Sequence, residues 1–374
     1  MPLKVLSIFG TRPEAIKMAP VVHALAKTPG IDARVCVTAQ HREMLDQVLT
    51  LFGIIPDFDL DLMKPDQSLA GLTADILTSL DPLLAEVQPE WILVQGDTTT
   101  VMTAALTAFY RHIKVGHVEA GLRTGDKWQP FPEEINRRVA SAVVDLHFAP
   151  TEHARQNLLA EGIPDKTIYM TGNPIIDALY HIATLPEPAE VTRWLADWGV
   201  RQGGKRLALV TAHRRENWGD PLEDIFTALR HLAEAHADDL HLVYPVHLNP
   251  HVQEPAYRML ANIPNLTLLP PLEYLPLVHL LKHATLALTD SGGIQEEATG
   301  MGVPTLVMRE VTERPEGVEA GVLKLVGTDP QLIFNSAHQL LTDPVIYQHM
   351  RQASNPFGDG HASERIVAAL LEQA

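Results

Sequence analysis

Cysteine is almost absent from this chain: Cys36 is the single one among 374 residues. No internal disulfide can form, and zinc sites built from several thiolates are excluded. The position of Cys36 in the apolar run 33–38 predicts a buried core side chain. The sequence also lacks an apolar run approaching the 18 residues of a membrane span, and residues 1–10 are too short for a signal peptide. We therefore expect a soluble, cytoplasmic protein.

Positive charge is scarce as well. The chain has 29 Lys and Arg residues against 46 Asp and Glu residues, which gives a net charge of −17. Binding to a nucleic-acid backbone requires a basic face, so nucleic acid is not an expected partner. A phosphate-bearing ligand would have to be held by a few locally placed cations and backbone N–H groups.

What the chain does contain is a regular alternation of short apolar runs with amphipathic segments. This alternation is typical of βα units and parallel sheets. The predicted strands form two series, namely 4–9, 34–38, 91–95, 114–118 and 146–149, followed by 206–211, 242–246, 266–269, 285–289, 304–308 and 322–326. The length exceeds what one core usually supports, so the predicted fold is α/β with two Rossmann-like, doubly wound domains facing across a cleft.

The expected domain boundaries follow from the same pattern. Residues 1–172 form the first domain, 173–190 the interdomain connection and 191–354 the second domain. Residues 355–374 form a C-terminal helix that we expect to cross back onto the first domain. Because ligands collect at the carboxyl ends of parallel strands, polar residues that follow predicted strands are the candidate site residues.

One such segment, residues 289–298, has the properties of an anion site. Ser291, Gly292 and Gly293 follow an apolar run and begin a predicted helix, which combines bare backbone N–H groups, a hydroxyl and the positive end of a helix dipole. Glu297 follows one turn later and can accept hydrogen bonds from a ribose diol. An isolated Gly-Gly pair is more often an ordinary helix start, but the acidic pair Glu296 and Glu297 at ribose distance makes that interpretation less favoured here.

Three carboxylates follow strand ends in the first domain. Asp97 comes after strand 91–95, where a helix N-cap is the simpler interpretation. Glu119 directly follows strand 114–118, and a carboxylate there is costly unless it is paired or used. Glu133 and Arg137 lie on one helix face and could be a surface pair. Crowded acids raise one another's pKa, which suits acid and base catalysis on one substrate.

Cations are predicted near the same strand ends. Arg12 and Lys17 follow the first strand, His213 follows the first strand of the second domain, and Arg314 follows a later one. Together they can hold a diphosphate, and the histidine could also protonate it as it leaves. Simpler interpretations are an exposed Glu14–Lys17 helix pair and an ordinary surface histidine, since the chain has 18 histidines. No His-Glu-x-x-His motif is present, and we expect no metal.

These segments closely resemble those of the non-hydrolysing UDP-N-acetylglucosamine 2-epimerases. The resemblance extends over residues 9–360, and its motifs lie at 9–17, 96–99, 117–125, 132–137, 213–217, 244–249, 290–297 and 312–316. It implies a glycosyltransferase-B-like fold, a homodimer, and interconversion of UDP-N-acetylglucosamine and UDP-N-acetylmannosamine without metal or nicotinamide. A base would remove the C2 proton as UDP leaves C1, and UDP would then add back to 2-acetamidoglucal.

The resemblance also implies residue roles. The catalytic set would be Asp97, Glu119, Glu133, Arg137 and His213. The substrate and UDP set would be Arg12, Lys17, Leu272, Leu277, Ser291, Gly292, Gly293, Glu297 and Arg314, with Leu272 and Leu277 acting on uracil through backbone groups. Activation by a second UDP-N-acetylglucosamine would involve Gln40, His41, Arg42 and His247. The resemblance does not assign the base in each direction.

Three other functions fit parts of this pattern. A glycosyltransferase of the same fold would use the same nucleotide site, but would need an acceptor pocket in place of three converging acids. A hydrolysing epimerase would release free N-acetylmannosamine and UDP. A sensor without turnover would be expected to lose Asp97, Glu119 and Glu133, all of which are present. The expected role of the product is in surface polysaccharide biosynthesis.

Overall fold

The computed structural model describes residues 1–38, 42–62, 64, 67–201 and 204–373. The chain divides into two compact units, one formed by Met1–Ala178 with Phe357–Ala374 and the other by Leu179–Pro356. Each unit contains one parallel sheet with its own helices. Within the described ranges, no helix is both long enough and apolar enough to cross a membrane.

The sheet of the first unit has the strand order β3-β2-β1-β4-β5-β6-β7. Its strands are β1 (Leu3–Phe9), β2 (Ile31–Val37), β3 (Phe58–Asp59), β4 (Trp91–Gln95), β5 (Lys114–Val118), β6 (Leu146–Ala149) and β7 (Ile168–Met170). Its helices are α1 (Arg12–Lys27), α2 (Arg42–Phe52), α3 (Leu69–Val87), α4 (Thr99–Tyr110), α5 (Glu133–Ser141), α6 (Glu152–Ala160) and α7 (Pro174–Thr184), the last of which continues into the second unit. All five residues of β4 are buried, as expected for a strand covered on both faces.

The sheet of the second unit has the order β10-β9-β8-β11-β12-β13. Its strands are β8 (Arg206–Thr211), β9 (Leu240–Pro245), β10 (Leu266–Leu269), β11 (Leu286–Thr289), β12 (Thr305–Val307) and β13 (Leu323–Leu325). Its helices are α8 (Ala189–Asp197), α9 (Asp220–Ala235), α10 (Pro250–Leu260), α11 (Tyr274–His283), α12 (Gly292–Gly300), α13 (Pro315–Glu319), α14 (Pro330–Thr342) and α15 (Pro344–Gln352). The core on one side of this sheet joins Phe226 and Leu229 of α9 to Tyr244 of β9.

The last helix, α16 (Ala362–Glu372), belongs to the first unit and packs against α1. Its first N–H groups have no partner within the helix, and the carboxylate of Asp177 accepts hydrogen bonds from two of them, at Ala362 (3.2 Å) and Ser363 (2.8 Å). The side chain of Asp177 therefore fixes the start of α16 on α7. Cys36 is buried in β2, as its apolar surroundings predicted.

Candidate active site

In the first unit, the loops that follow β1, β4 and β5 lie side by side, because these strands are neighbours in a parallel sheet. Glu119, directly after β5, is buried with a φ of +63°, a region that non-glycine residues rarely adopt. Such a conformation costs about 1–3 kcal/mol and persists only where surrounding contacts impose it. The direction of the Glu119 side chain is therefore set by its environment.

That environment supplies a hydrogen-bond donor to each oxygen of the Glu119 carboxylate. Lys17 Nζ lies 2.5 Å from Oε1 and 2.7 Å from Oε2. Asn173 Nδ2 donates to Oε1 at 2.8 Å, and Gln95 Nε2 donates to Oε2. The sequence indicated that Glu119 must be paired or used, and the structure pairs it with Lys17. The predicted contact of Lys17 with phosphate stays a prediction, as does that of Arg12, the first residue of α1.

A second carboxylate, Asp97, follows β4 and is held from α5. Arg137 donates to Asp97 Oδ2 through Nε (2.9 Å) and Nη2 (2.7 Å), and Asn136 Nδ2 donates to the Asp97 backbone oxygen at 2.9 Å. The third nitrogen of Arg137 donates to Glu134 Oε2 at 3.1 Å. The guanidinium therefore fixes Asp97 on α5, the helix that begins with Glu133, which is half-buried.

Glu134 and Glu14 are two buried carboxylates for which the sequence predicted no role in the site. Glu134 accepts the backbone N–H of Thr124 at 3.1 Å and so holds the loop before α5. Glu14 accepts the N–H groups of Gly10 (3.0 Å) and Thr11 (2.7 Å) and the hydroxyl of Thr98 (2.7 Å). Burial raises the pKa of Glu14, and these hydrogen bonds oppose that shift. The simple interpretation of Glu14 and Lys17 as an exposed helix pair was wrong, because Glu14 is buried and Lys17 binds Glu119.

In the second unit, β11 leads into α12, with Ser291 at the N-cap and Gly292 as the first helical residue. Arg314 lies against this helix start: a Cβ at position 292 would lie 2.9 Å from Arg314 Nη1. A side chain at position 292 would therefore displace the guanidinium from the helix start. A fixed cation beside the N-terminus of a helix is a suitable arrangement for an anion such as phosphate.

Two carboxylates orient Arg314. Its Nε donates to Glu296 Oε1 at 2.8 Å, and its Nη1 lies 3.6 Å from Glu313 Oε2. Glu313 also accepts from Arg309 Nη1 at 2.9 Å. Burial raises the pKa of Glu313, but Arg309 and Arg314 outweigh that effect and lower it to about 2. Glu313 thus stays ionised and holds both arginines in place.

Glu297, the predicted ribose ligand, is buried on α12 one turn from the helix start. A Cβ at Gly293 would lie 3.9 Å from Glu297 Oε2, so this carboxylate is directed back toward the first turn. Leu272 and Leu277 pack against the core around β8, β9 and β11. Their side chains are used in packing, and their predicted backbone role toward uracil stays a prediction.

The loop after β8 carries His213, whose ring stacks on that of His247 with centroids 5.5 Å apart. His247 Nδ1 accepts the N–H of Asn249 at 3.1 Å. Of the other residues predicted for activation, Gln40 and His41 lie outside the described residues, and so does the side chain of Arg42 at the start of α2. No group of three or more His, Cys, Asp or Glu side chains that could hold a metal occurs in the described part of the chain.

A family model described as UDP-N-acetylglucosamine 2-epimerase matches residues 23–371. The chain belongs to the UDP-N-acetylglucosamine 2-epimerase family. A curated member of this family from Escherichia coli O157:H7, named UDP-N-acetylglucosamine 2-epimerase, is 54% identical over 98% of both chains. The crystal structure of UDP-GlcNAc 2-epimerase from Neisseria meningitidis bound to UDP-GlcNAc has a TM-score of 0.92 and 48% identity, and the match covers 99% of this chain and 100% of that one.

The fold is shared more widely than the family. The glycotransferase of kitacinnamycin has a TM-score of 0.65 at 15% identity, and the match covers 100% of this chain and 99% of that one, a likeness of fold alone. The predicted family, the predicted enzyme class and the predicted α/β fold with two Rossmann-like sheets are confirmed. The roles predicted for individual residues stay predictions.

Proposed function

We propose that this protein interconverts UDP-N-acetylglucosamine and UDP-N-acetylmannosamine by non-hydrolysing epimerisation at C2. Family membership and the UDP-GlcNAc-bound structure of the Neisseria relative support the substrate. The observation that best supports this type of reaction is that two carboxylates at the ends of neighbouring strands are each held by a basic side chain. Arg137 holds Asp97 and Lys17 holds Glu119, so both carboxylates have fixed positions from which they could transfer a proton.

The proposed reaction is an elimination followed by an addition. A carboxylate takes the C2 proton, the C2–H electrons form a C1=C2 double bond, and the C1–O bond breaks to release UDP. In the second step, UDP adds back to C1 of 2-acetamidoglucal as a proton reaches the opposite face of C2. The cycle is redox-neutral and needs no nicotinamide. Asp97, Glu119 and Glu133 are the proposed acid and base groups, and Arg137 orients Asp97.

The nucleotide would be held mainly by groups at helix starts. Ser291, Gly292 and Gly293 would bind the diphosphate through the first turn of α12, assisted by Arg314. Glu297 would accept hydrogen bonds from the ribose diol, and backbone groups at Leu272 and Leu277 would contact uracil. Arg12 and Lys17 would bind phosphate or the adjoining sugar, and His213 would donate a proton to the departing diphosphate.

Three further properties belong to this proposal. The chain would act as a homodimer and would supply surface polysaccharide biosynthesis. A second molecule of UDP-N-acetylglucosamine would activate it through Gln40, His41, Arg42 and His247. Membership of the family supports each of these, and a measurement of oligomeric state and of rate against substrate concentration tests the first and third.

The deciding experiment is proton NMR of UDP-N-acetylglucosamine incubated with the protein in deuterated water. We expect UDP-N-acetylmannosamine to appear with deuterium at C2, because the proton is exchanged with solvent at the carboxylate. Free N-acetylmannosamine together with UDP would replace this proposal with the hydrolysing reaction. An unchanged spectrum would overturn it in favour of a transferase that needs an acceptor.

A further inference from the structure

Asp290, between β11 and α12, is a fully buried carboxylate to which the proposed reaction assigns no role. Its Oδ2 accepts the backbone N–H groups of His213 and Arg214, each at 2.8 Å, and Nδ2 of Asn217 at 3.3 Å. These bonds tie the loop after β11 to the loop after β8, the neighbouring strand. One oxygen of the carboxylate is therefore fully used in holding the segment that carries His213.

The other oxygen faces the His213 ring. Asp290 Oδ1 lies 3.6 Å from His213 Nδ1, and it has no hydrogen-bond partner among the described residues. A buried carboxylate oxygen without a donor is costly, and a protonated Nδ1 is a donor that a small ring rotation brings within range. Distances of this kind in ligand-free sites commonly shorten when the ligand binds.

The titratable groups around His213 lie in three loops, those that follow β11, β8 and β9. Asp290 precedes α12, Arg214 follows His213 in the same loop, and His247 stacks on the ring from the loop after β9. Burial lowers the pKa of His213, Asp290 raises it, and Arg214 and His247 lower it further. Asp290 is thus the one group in this set that favours the charged imidazole.

We propose that Asp290 is a positioning residue that holds His213 as the Nδ1–H tautomer and favours its protonated form. With Nδ1–H directed at the carboxylate, Nε2 is the nitrogen left for a ligand. A protonated Nε2 donates to a developing phosphate charge and can transfer its proton to the diphosphate as the C1–O bond breaks. This assignment rests on the proposed function, because that function supplies the diphosphate.

Histidine NMR tests the pair without any turnover. In protein carrying labelled histidine, the His213 signal is assigned as the one missing from the spectrum of His213→Gln. In the unaltered protein above the pKa, the ring-nitrogen shifts should report the Nδ1–H tautomer. In Asp290→Asn the pKa of His213 should fall by about one unit or more, the usual effect of removing an opposite charge at this distance.

Asn217→Ala is the matched control. It removes one donor to the same carboxylate and loosens the same two loops, but it leaves the charge of Asp290 in place. We expect it to lower the melting temperature while the pKa and tautomer of His213 stay unchanged. A purely structural Asp290 would give the same His213 titration in Asp290→Asn as in the unaltered protein, and that result overturns the proposal.

The assignment is testable even if Asp290→Asn does not fold. An Nε2–H tautomer of His213 in the unaltered protein is by itself sufficient to overturn it. Epimerisation rates provide a separate readout: if the protonated histidine is required, the loss of rate with rising pH should move to lower pH in Asp290→Asn. Absence of epimerisation with the expected His213 titration would refute the proposed function and leave the histidine–aspartate pair standing.

Discussion

The side chain of Asp97 is exposed enough to meet a ligand, yet three hydrogen bonds from α5 fix its position. Asp97→Asn keeps the size of the side chain and removes its ability to take a proton. We expect epimerisation to slow by roughly 10²–10⁴-fold, the usual contribution of a general acid or base, with the Kd for UDP changed less than about threefold. Initial rates and calorimetric titration with UDP measure the two effects.

Asp81→Asn is the matched control for this change. Asp81 also pairs with an arginine, Arg111, but this pair is exposed, and Arg111 lies beside the amino ends of β4 and β5 rather than the carboxyl ends. It should leave both rate and affinity unaltered. Normal turnover by Asp97→Asn would remove Asp97 from the proposed acid and base groups.

Arg314 is the cation that the structure places against the first turn of α12. Removing it in Arg314→Ala should raise the Kd for UDP by about 10–100-fold, because a charge-assisted hydrogen bond contributes roughly 1.5–3 kcal/mol. Arg258→Ala, which removes an exposed arginine paired with Glu223 in the same unit, should bind UDP normally. Equal affinity in both variants would show that Arg314 does not contact the phosphates.

At the scale of elements, short apolar runs predicted strands at the centre of both sheets and also β10 at an edge. Residues 91–95, 114–118 and 206–211 were predicted with the observed bounds of β4, β5 and β8. Two strands were not predicted, β3 and β7, which have two and three residues and lie at the two edges of their sheet. β12 and β13 also have only three residues, but they were predicted because each lies within a longer, mostly apolar segment, 304–308 or 322–326.

The candidate site was predictable in its residue types but not in its pairings. A glutamate directly after a buried strand indicated that Glu119 needs a partner, but Lys17 lies 102 residues away in the chain. Similarly, the four-residue spacing of Glu133 and Arg137 suggested a local pair, but it gave no sign that Arg137 also binds Asp97, 40 residues away. Contacts of this kind depend on which strands become neighbours, and spacing along one helix cannot reveal that order.

The neighbouring strands β5 and β6 carry paired buried histidines, His117 opposite His147. Burial lowers the pKa of His117 to about 4 and that of His147 to about 3. In the unfolded chain both should titrate near the ordinary value of about 6.5. Protons therefore bind the unfolded chain first as the pH falls, and stability present above about pH 6.5 is lost progressively toward the folded pKa values.

Replacing one of these histidines should reduce that loss. When the pH falls from 7 to 5, the free energy of unfolding should decrease by about 2 kcal/mol less in His147→Gln than in the unaltered protein. The reason is that pH 5 lies about 1.5 units below the pKa of histidine in the unfolded chain, and each unit corresponds to about 1.4 kcal/mol. Urea unfolding at both pH values measures the difference. His153→Gln, at an exposed position on α6, should leave the loss almost unchanged. An equal loss in His147→Gln and the unaltered protein would mean that His147 takes up a proton in the folded state.

At the scale of the whole molecule, a chain with a net charge of −17 is proposed to bind a nucleotide diphosphate. The general field opposes such a ligand, so local groups must supply the attraction. In the second unit these are the N-terminus of α12 and Arg314, whose charge is oriented by Glu296 and Glu313. The paired carboxylates that the reaction would use belong to the first unit.

Because the proposed nucleotide-binding groups belong to the second unit and the paired carboxylates to the first, UDP alone should slow hydrogen exchange mainly in the second unit. A ligand at 100 times its Kd stabilises the structure that it binds by about 2.7 kcal/mol, and elements that it contacts are protected first. We expect the strongest slowing in peptides covering β11, α12 and residues 309–320. Under the same conditions Arg314→Ala should show weaker slowing in those peptides, and Arg258→Ala should match the unaltered protein. Protection confined to residues 1–178 would place the diphosphate on the first unit and reverse the assignment of roles to the two units.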